Sequence, residues 1–378
     1  MERRVSWEML VLDPPDALQA QALTQFIRGQ QGFAETYPAE KDGIFKWKLI
    51  DNDAHPGFAS AMVMKEGAQI VSLCTVTPKR LWFEGVEKRW GEIGDTFTDQ
   101  EYMRRGMFAS LVNASRKRAQ LAGYKIIYGL PNEKSAPGYL NKLEFGIKEN
   151  IELKNYTLIL SSEALAWWLQ LRKAENPWWL SIAATLLQSP LSDVISRKLL
   201  NAILPQSQIK GIAIHNDQSF GIEYDNLWKK VRDAIPISQV RDANYLIWRY
   251  EKNPFPFRIL AAKKNNALVG YLITLIQDEA DGKIRRLYLV DWLFHPSEKD
   301  SVGFALLRAA LEPTYLQGAH LVTALSPHQS SVALPWKDFR FLRRPPYRPL
   351  MFHCNEDGLK LIHSTTPWHF TIGDTDEF

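Results

Sequence analysis

The sequence repeats one order of structural elements at a separation of about 200 residues. The segments 47-WKLIDND-53 and 248-WRYEKNP-254 each read tryptophan, a cation, three residues and then asparagine. An extended stretch follows each of them, at residues 58–85 and 257–278, with the pattern of a strand, a polar turn and a second strand. A fixed separation of this kind predicts two copies of one folding unit.

The agreement continues through the rest of each copy. Residues 94–113 and 290–309 each place an aspartate in an extended segment, followed by a polar loop and a helix. A short apolar strand and a proline-led loop come next: 125-KIIYG-129 with 131-PNEKS-135 in the first copy, and 320-HLVTAL-325 with 327-PHQSS-331 in the second. The sequence therefore predicts a mixed α/β fold in which one unit occurs twice.

The length sets the expected number of domains. A chain of 378 residues is too long for one ordinary hydrophobic core, so two domains are expected. We predict an N-terminal domain at residues 1–160 and a C-terminal domain at residues 236–378. A helical connecting segment rich in tryptophan, residues 161–235, lies between them.

Composition narrows the class of protein. Hydrophobic residues make up 46% of the chain and charged residues 23%, as in an ordinary globular protein. The net charge of +4 is small and no basic block stands out, so we expect no nucleic-acid partner. The two cysteines, Cys74 and Cys354, have no disulfide or metal spacing, and the N-terminus lacks the apolar core of a signal peptide. These features favour a cytoplasmic protein.

The connecting segment holds four of the 13 tryptophans, within 165-LAWWLQLRKAENPWWLSIAATLLQ-188. Its longest apolar run, residues 178–187, is too short to span a bilayer. Two interpretations remain open. We favour a buried pair of helices between the domains over an interfacial helix that makes peripheral contact with a membrane through its indoles.

The stretch 97-FTDQEYMRRGMFASLVNASRKRAQLAG-123 is unusual because two cations precede a helix. The N-terminus of a helix favours anions, so Arg104 and Arg105 suit this position if a bound anion uses both charges. The preceding segment 93-IGDTFT-98 reads as extended, and Gly123 ends the helical pattern. A strand, an Arg/Gly loop and a helix in this order predict a pyrophosphate pocket. The alternative is that both arginines are solvated loop residues.

The segments 102-YMRRGMFASL-111 and 131-PNEKSAPGYLNKLEFG-146 resemble the coenzyme A-binding core of the GNAT superfamily of N-acetyltransferases. The loop of that family reads Gln or Arg, two residues, Gly, one residue, then Gly or Ala. Residues 104–106 match its basic centre and glycine, whereas Met103 and Phe108 depart from it. The combination of Gly-Met-Phe with Pro-Asn-x-x-Ser is similar to a branch found with surface-polysaccharide synthesis.

The resemblance implies that acetyl-CoA, or another acyl-CoA, lies in a splayed gap between two central strands. Three sets of residues would bind it: the backbone of Thr96, Phe97 and Thr98 at the pantetheine arm, the turn of Arg104, Arg105, Gly106, Met107, Phe108 and Ala109 at the pyrophosphate, and Asn132 with Ser135 beyond the next strand. No metal is expected, because neither HxxxH nor CxxC spacing occurs.

In this family the general acid is a tyrosine in the following helix, which protonates the departing thiolate. That position falls on Leu140, with Tyr139 one residue earlier, and Glu144 replaces the final glycine of the motif. Tyr139 is therefore the candidate acid only if the helix has a different phase from the usual one.

Acyl transfer to an amine also needs a base, and an N–H group that polarises the thioester carbonyl. Glu92 and Asp95 precede the Arg/Gly loop on one strand. Their spacing gives them opposite parity, so only one of them is expected to face the pocket. Both stay candidates for the base, and Asp95, which has a counterpart in Asp291, also has a structural interpretation.

Two further segments have open interpretations. His328, in the second copy's counterpart of the asparagine loop, could line the acceptor site, although a lone loop histidine is more often solvated. The segment 367-PWHFTIGDTDEF-378 resembles the tails of the same GNAT branch, or it is a surface tail. We expect Cys74 to lie in the core, and Trp47 and Trp248 to share a packing role.

The second copy keeps a glycine in 298-EKDSVGFALL-307, but Glu298 and Asp300 stand where the first copy has arginines and would repel a pyrophosphate. Two fused GNAT-like units also occur in mycothiol synthase and in Fem-type aminoacyltransferases. We therefore predict two GNAT-like acyltransferase domains in tandem, the second one degenerate. Their expected function is direct transfer of an acyl group from coenzyme A to a small-molecule amine, such as an amino sugar or a polysaccharide precursor. The alternatives are an aminoacyl-tRNA-dependent Fem-type ligase and a non-catalytic GNAT-like scaffold at a membrane.

Overall fold

The computed structural model describes residues 7–12, 14–30, 42–52, 60–147, 151–171, 209–279, 282–345, 348–354, 358 and 366–376. They form two mixed sheets with helices packed on them, which confirms the predicted α/β class. One hydrophobic cluster takes buried side chains from both sheets, including Val63 and Leu272.

The first sheet has nine strands. They are β1 (Glu8–Leu12), β2 (Ser60–Glu66), β3 (Gln69–Phe83), β4 (Val86–Thr98), β5 (Ile126–Gly129), β6 (Gly146–Ile147), β9 (Ile237–Gln239), β15 (Met351–Cys354) and β16 (Trp368–His369). The main order is β1-β2-β3-β4-β5-β15-β6, and β9 joins β3 to β16. Along the main order only β4 and β5 run parallel among the described strands.

The second sheet has seven strands. They are β7 (Leu153–Ile159), β8 (Ala213–Asp217), β10 (Arg258–Lys264), β11 (Ala267–Asp278), β12 (Arg285–Phe294), β13 (Leu321–Pro327) and β14 (Leu342–Arg344). Their order is β14-β7-β13-β12-β11-β10-β8. β12 and β13 run parallel, as β4 and β5 do in the first sheet. The strand–turn–strand stretches predicted near residues 58–85 and 257–278 are present as β2–β3 and β10–β11.

Each sheet includes strands from the other part of the chain. β7 lies within the predicted N-terminal domain, residues 1–160, yet it pairs with β13 of the second sheet. β15 lies within the predicted C-terminal domain, residues 236–378, yet it pairs with β5 of the first sheet. The boundaries near residues 160 and 236 stay a prediction, and strands from both sides of them pair within each sheet.

Helices connect the strands and cover the sheets. Those in the described ranges are α1 (Ala17–Arg28), α2 (Met107–Leu121), α3 (Ala136–Lys142), α4 (Ser162–Leu171), α5 (Ile222–Val231), α6 (Ala243–Leu246), α7 (Phe304–Ala310) and α8 (Pro313–Leu316). α2 packs on the first sheet through Leu111, Val112 and Ala119, which form one cluster with Cys74 of β3. The predicted helix after the Arg/Gly loop and the core position of Cys74 are therefore confirmed. Each buried Leu or Val contributes roughly 1.5–3 kcal/mol.

Trp47 and Trp248 are stacked on each other and fully buried. They lie in two five-residue π-type turns, Lys46–Ile50 and Ile247–Glu251. The ring centroids are 4.8 Å apart, and each indole Nε1–H donates to the carbonyl oxygen of the other residue, at 2.6 and 3.1 Å. This reciprocal contact confirms the shared packing role and relates the two turns by an approximate twofold axis.

Trp47→Phe is expected to lower the free energy of unfolding by about 1–3 kcal/mol, because the carbonyl oxygen of Trp248 would be buried without its donor. Equilibrium unfolding in urea, followed by tryptophan fluorescence, measures the change. Trp7→Phe is the matched control, since Trp7 is 38% exposed. Equal unfolding midpoints for the two variants would contradict the role of the indole bond.

The described part of the connecting segment packs on the second sheet. Ala164 of α4 is buried in one cluster with Ile284 and Leu321, and Trp167 packs against that cluster. Trp178 and Trp179 lie outside the described residues, so the two interpretations of the tryptophan-rich segment are not distinguished there. Of the helices in the described ranges, none combines the length and the apolar character needed to cross a bilayer.

Candidate functional site

A cavity, here called the first cleft, opens where β4 and β5 separate. The two strands pair in parallel as far as Glu92 with Tyr128. β4 continues to Thr98, whereas β5 ends at Gly129, so the strands diverge beyond this pair. The cleft has a volume of about 230 Å³. Seven of the predicted site residues line it: Glu92, Asp95, Thr96, Phe97, Asn132, Ser135 and Tyr139.

β4 carries one extra residue beside the cleft. Gly94 pairs with Thr75 and Phe97 with Leu73, so three steps along β4 match two along β3. The bulge includes Asp95, whose φ is 44°. The extra residue cancels the parity difference, and Glu92 and Asp95 both line the first cleft. The expectation that only one of the two acids faces the pocket is therefore wrong, because it assumed an unbroken strand period.

Glu92 lies where the two strands separate and is 6% exposed. Its Oε2 accepts a hydrogen bond from Lys79 Nζ, and its Oε1 accepts one from the backbone N–H of Asp376 at 3.0 Å. Burial raises the pKa of Glu92 to about 8; the Asp376 carboxylate adds to this effect and the Lys79 ammonium opposes it. A carboxyl group with this pKa can take up and release a proton near neutral pH.

Asp95 is more open, with 30% of its side chain exposed. Its Oδ2 accepts hydrogen bonds from Lys48 Nζ at 2.5 Å and from Thr75 Oγ1 at 2.6 Å. Burial acts to lower the pKa of Lys48, but the carboxylates of Asp376 and Asp95 outweigh it and raise that pKa above its ordinary value. Lys48 therefore stays an ammonium group that holds Asp95 in place.

A third carboxyl group, Asp376, reaches the first cleft from the C-terminal segment. Its Oδ2 lies 2.9 Å from Lys48 Nζ and accepts a hydrogen bond from Thr77 Oγ1 at 2.7 Å. Its Oδ1 lies 3.1 Å from Lys79 Nζ. Burial disfavours the charged form, but the two ammonium groups outweigh burial and hold the pKa of Asp376 well below its ordinary value. Asp376 is therefore a permanent negative charge between two lysines.

The interpretation of this segment as a surface tail is wrong. Trp368 and Phe370 are 2% and 1% exposed, because their rings pack against Trp90 and Tyr128 of the first sheet. The segment binds through its apolar residues and ends at the first cleft with its acids. The sequence shows that aromatic residues precede acidic ones in this segment, but not the surface on which they pack.

Lys48, Lys79 and Asp376 are site residues that sequence reasoning missed. One signal for Lys48 is present in the repeat, since a cation follows the tryptophan in both copies. Its counterpart Arg249 is also fully buried. A buried cation that recurs requires a buried acid, and Asp376 supplies the charge for Lys48.

Tyr139 points into the first cleft from α3. Its hydroxyl oxygen lies 2.5 Å from Thr96 Oγ1, and the side chain is 3% exposed. Burial raises the pKa of Tyr139 well above its ordinary value, so the phenol keeps its proton at neutral pH. α3 places the phenol of Tyr139 against Thr96 of β4, and its role as the acid stays a prediction.

Asn132 and Ser135 shape the entry to α3. Asn132 Oδ1 accepts hydrogen bonds from the backbone N–H groups of Lys134 at 3.1 Å and Ser135 at 2.9 Å, and from Ser135 Oγ at 3.1 Å. This Asx turn fixes the side-chain amide of Asn132 at the edge of the first cleft. Its NH₂ group is the donor that Asn132 can offer to a ligand.

The Arg/Gly loop begins α2. Gly106 has a φ of 81°, which glycine adopts without strain, and among the described residues no side chain caps the helix at this point. The N–H groups of Met107, Phe108 and Ala109 belong to the first turn, whose donors have no partner within the helix. Arg104 and Arg105, both exposed, surround this open helix start.

The two arginines differ in their contacts. Arg105 Nη2 donates to the carbonyl oxygen of Glu101 at 3.0 Å, and the guanidinium lies 5.1 Å from the ring centroid of Tyr102. Arg104 has a φ of 63°, in the left-handed region. This geometry is compatible with both sequence interpretations, an anion-binding loop and a pair of solvated cations.

Phe108 departs from the small residue of the GNAT loop, and α3 compensates for its size. Its ring lies edge-on to Tyr139 with 5.1 Å between centroids. It also covers Gly138, where a Cβ atom would lie 2.7 Å from the Phe108 ring. A glycine in α3 thus makes room for the phenylalanine in the loop. Met103, the other departure, is 53% exposed.

The part of β4 that extends past the end of β5 lines the first cleft. Phe97 and Thr98 pair on one side with Leu73 and Ser72 of β3. On the other side β5 has ended at Gly129, so the backbone of residues 96–98 is not covered by that strand. An extended ligand that carries amide groups can lie along β4 at this place.

His328 lies outside the first cleft. Its Nε2 is 2.7 Å from Arg343 Nη1, and its backbone N–H donates to Glu152 O at 2.8 Å. These contacts place it beside β14, where it is exposed, and do not support the alternative that it lines an acceptor site.

Comparison with known proteins relates the chain by structure alone. No family model matches its sequence, and no curated protein matches it. A GCN5-related N-acetyltransferase from Anabaena variabilis is similar with a TM-score of 0.58 at 12% identity, over 92% of this chain and 73% of that one. A conserved protein of unknown function from Enterococcus faecalis V583 gives the same values.

The N-myristoyltransferase of Saccharomyces cerevisiae, solved with bound myristoyl-CoA, is a third similar structure. Its TM-score is 0.57 at 11% identity, over 93% of this chain and 83% of that one. At such low identity the similarity shows the fold and not the activity. The chain therefore has the fold of the GCN5-related acyltransferases.

Proposed function

We propose that the chain is an acyl-CoA-dependent N-acyltransferase that transfers an acyl group directly to an amine. The observation that carries the proposal is the divergence of β4 and β5 next to the open start of α2. A strand edge, a cleft and a helix N-terminus together suit a long ligand that has amide groups and a pyrophosphate. Among the similar folds, the yeast enzyme was solved with an acyl-CoA bound.

The donor would lie along β4 and end at α2. The pantetheine arm would lie along β4 at Thr96, Phe97 and Thr98, and Asn132 would donate to it from the other side. The pyrophosphate would accept from the N–H groups of residues 107–109, with Arg104 and Arg105 adding charge-assisted bonds. The exposed guanidinium groups can reach such a ligand without breaking a buried contact.

The transfer itself needs one proton to leave the amine and one to reach the thiolate. The amine nitrogen attacks the thioester carbonyl carbon, and the N–C bond forms as the C–S bond breaks. Glu92 accepts the proton lost by the amine, since its pKa of about 8 lies close to physiological pH. Asp95 is the alternative base. Tyr139, buried and protonated, donates its proton to the departing coenzyme A thiolate.

The proposal defines the acceptor by its reacting group, which is an amine. We propose a small amine, and an amino sugar or polysaccharide precursor on the strength of the sequence resemblance. We also propose that the two sheets represent two GNAT-like units in tandem and that the protein acts in the cytoplasm. The parallel pair at the centre of each sheet supports the tandem arrangement.

Isothermal titration calorimetry with acetyl-CoA and longer acyl-CoAs tests the proposal. Binding of at least one of them is expected. Arg104→Ala combined with Arg105→Ala should weaken that binding by about tenfold or more, because each charged hydrogen bond to phosphate is worth about 1.5–3 kcal/mol. Asp300→Ala, in the corresponding loop of the second copy, is the matched control and should leave the affinity unchanged. Failure of every acyl-CoA to bind would overturn the proposed function.

A further inference from the structure

The second sheet diverges as the first does. β12 and β13 pair in parallel as far as Leu289 with Ala324, and both strands continue beyond this pair. β12 also carries an extra residue at this level, next to Asp291, the counterpart of Asp95. We call the resulting gap the second cleft.

The tail segment, residues 366–376, occupies the second cleft. The fully buried His369 bridges its sides: Nε2–H donates to the carbonyl oxygen of Trp292 in β12 at 2.8 Å, and Nδ1 lies 3.4 Å from Ser330 Oγ in the loop after β13. Burial, with a contribution from Arg241, lowers the pKa of His369 well below its ordinary value. The neutral ring thus offers one donor and one acceptor across the gap.

Gly373 marks the closest approach of the tail segment to the second cleft. A Cβ atom there would lie 2.3 Å from the Tyr250 hydroxyl oxygen and 3.0 Å from Asp291 Cβ. The Gly373 carbonyl oxygen accepts a hydrogen bond from Arg249 Nε at 2.8 Å. Arg249 is the counterpart of Lys48 in the repeat. Arg249 holds the tail segment in the second cleft, and Lys48 holds Asp95 in the first cleft.

A buried ion triad fixes the tail segment by charge. Arg241 Nη2 lies 3.0 Å from Asp291 Oδ1 and 2.8 Å from Asp374 Oδ2, and all three side chains are fully buried. Thr371 Oγ1 also donates to Asp291 Oδ1 at 3.1 Å. The segment is therefore held by specific polar contacts as well as by apolar packing.

From the second cleft the tail segment crosses to the first. The carbonyl oxygen of Asp374 accepts hydrogen bonds from Lys79 Nζ at 2.9 Å and from the Tyr128 hydroxyl at 2.5 Å. Two residues further, the Asp376 N–H bonds to Glu92 and its carboxylate lies between Lys48 and Lys79. The contacts of the tail segment in the second cleft thus fix the position of the Asp376 carboxylate in the first cleft.

We propose that Asp376 is a positioning residue whose carboxylate balances the positive charges of Lys48 and Lys79, so that Glu92 remains able to accept a proton. The contacts of the tail segment in the second cleft hold Asp376 in this place. This inference rests on the proposed acyl transfer. In the absence of Asp376, two buried ammonium groups would face Glu92 and would stabilise its ionised form. Asp376 would act through Glu92 and would not touch the reacting atoms.

The charged and titratable groups that act on Glu92 come from five places in the fold. They are Lys48 of the first π-type turn, Lys79 of β3, Tyr128 of β5, Arg249 of the second π-type turn and Asp376 of the tail segment. Among the largest influences, Asp376 is the only one that favours the protonated form of Glu92 by its charge, and burial acts in the same direction. Removal of the Asp376 charge is therefore expected to lower the pKa of Glu92.

The test is a carboxyl ¹³C NMR titration of the full-length protein, labelled at glutamate, with the Glu92 signal assigned by its absence in Glu92→Gln. Wild-type Glu92 is expected to titrate near pH 8. In Asp376→Asn the midpoint should move to lower pH by about one unit or more, because a neighbouring charge shifts a pKa by that amount. Asp376→Glu, which keeps the charge, should stay near the wild type.

Asp338→Asn is the matched control, since Asp338 is exposed and does not line the first cleft, and it should leave the midpoint unchanged. If Asp376→Asn does not fold, Asp376→Ser is measured instead, because the smaller hydroxyl fits the same space. If Glu92 in folded Asp376→Asn, or in folded Asp376→Ser, titrates at the same pH as in the wild type, the proposed role of Asp376 is overturned. Acyl-CoA calorimetry on the same samples separates this result from a failure of the proposed function, which would appear as absent binding in the wild type.

Discussion

Glu92→Gln is expected to reduce the rate of acyl transfer by about 10²–10⁴-fold, the usual contribution of a general base. Glutamine keeps the size of the side chain and can still accept from Lys79, but it cannot take the proton of the amine. Release of free coenzyme A in the presence of a panel of amines measures the rate. In the wild type the rate should rise with pH through about 8, since Glu92 must be ionised to act as the base.

Two comparisons make this result specific. Glu87→Gln, on the same strand but exposed and paired only loosely with Arg80 at 3.4 Å, should transfer at the wild-type rate. Acyl-CoA affinity of Glu92→Gln should stay within about twofold of the wild type, because the lost interaction arises only during the reaction. If Asp95→Asn carried the loss and Glu92→Gln did not, Asp95 would be the base.

Arg241→Met is expected to lower the free energy of unfolding by about 3–5 kcal/mol, the cost of breaking a buried ion pair. Methionine fills much of the space but leaves the carboxylates of Asp291 and Asp374 buried without their cation. Denaturant unfolding followed by circular dichroism measures the change. Arg285→Met is the control, because the Arg285–Asp278 pair is 44% and 48% exposed and an exposed pair contributes about 0–1 kcal/mol.

The pH dependence of this variant gives a second check. Burial raises the pKa of Asp374 above its ordinary value, and the Arg241 guanidinium opposes this. Without Arg241 the folded-state pKa of Asp374 should therefore lie further above that of the unfolded chain. Groups of this kind stabilise the fold at low pH and lose that contribution as the pH rises through the folded-state pKa. The defect of Arg241→Met should therefore be smaller near pH 5 than near pH 8. A variant as stable as Arg285→Met at both values would contradict the structural role of the triad.

Elements that depend on short stretches of sequence are predictable here. The strand pairs β2–β3 and β10–β11, and the helix that begins at Met107, follow from alternation, turn residues and helical period. The repeat also aligned Trp47 with Trp248, which proved to be in contact. Local pattern and internal comparison together therefore place most of the residues around the first cleft.

Contacts between distant parts of the chain are what the sequence does not show. One extra residue in β4 brings Asp95 to the same cleft as Glu92, and a bulge has no reliable sequence pattern. Asp376 meets Glu92 across 284 positions. The exchange of β7 and β15 between the sheets is likewise a property of the assembled chain. These features arise from contacts between segments that are far apart in the sequence, so no local pattern predicts them.

The exchange of strands has a consequence for the synthesis of the protein. The first sheet lacks β15 until residues 351–354 have left the ribosome, and the first cleft lacks Asp376 until residue 376 has followed. Because domains otherwise fold in order as the chain emerges, the first half must wait, partly assembled, for the second. A chain whose translation stops early therefore holds neither a complete first sheet nor the charge at Lys48 and Lys79. Assembly of the site in this way requires that residues 351–376 have been translated.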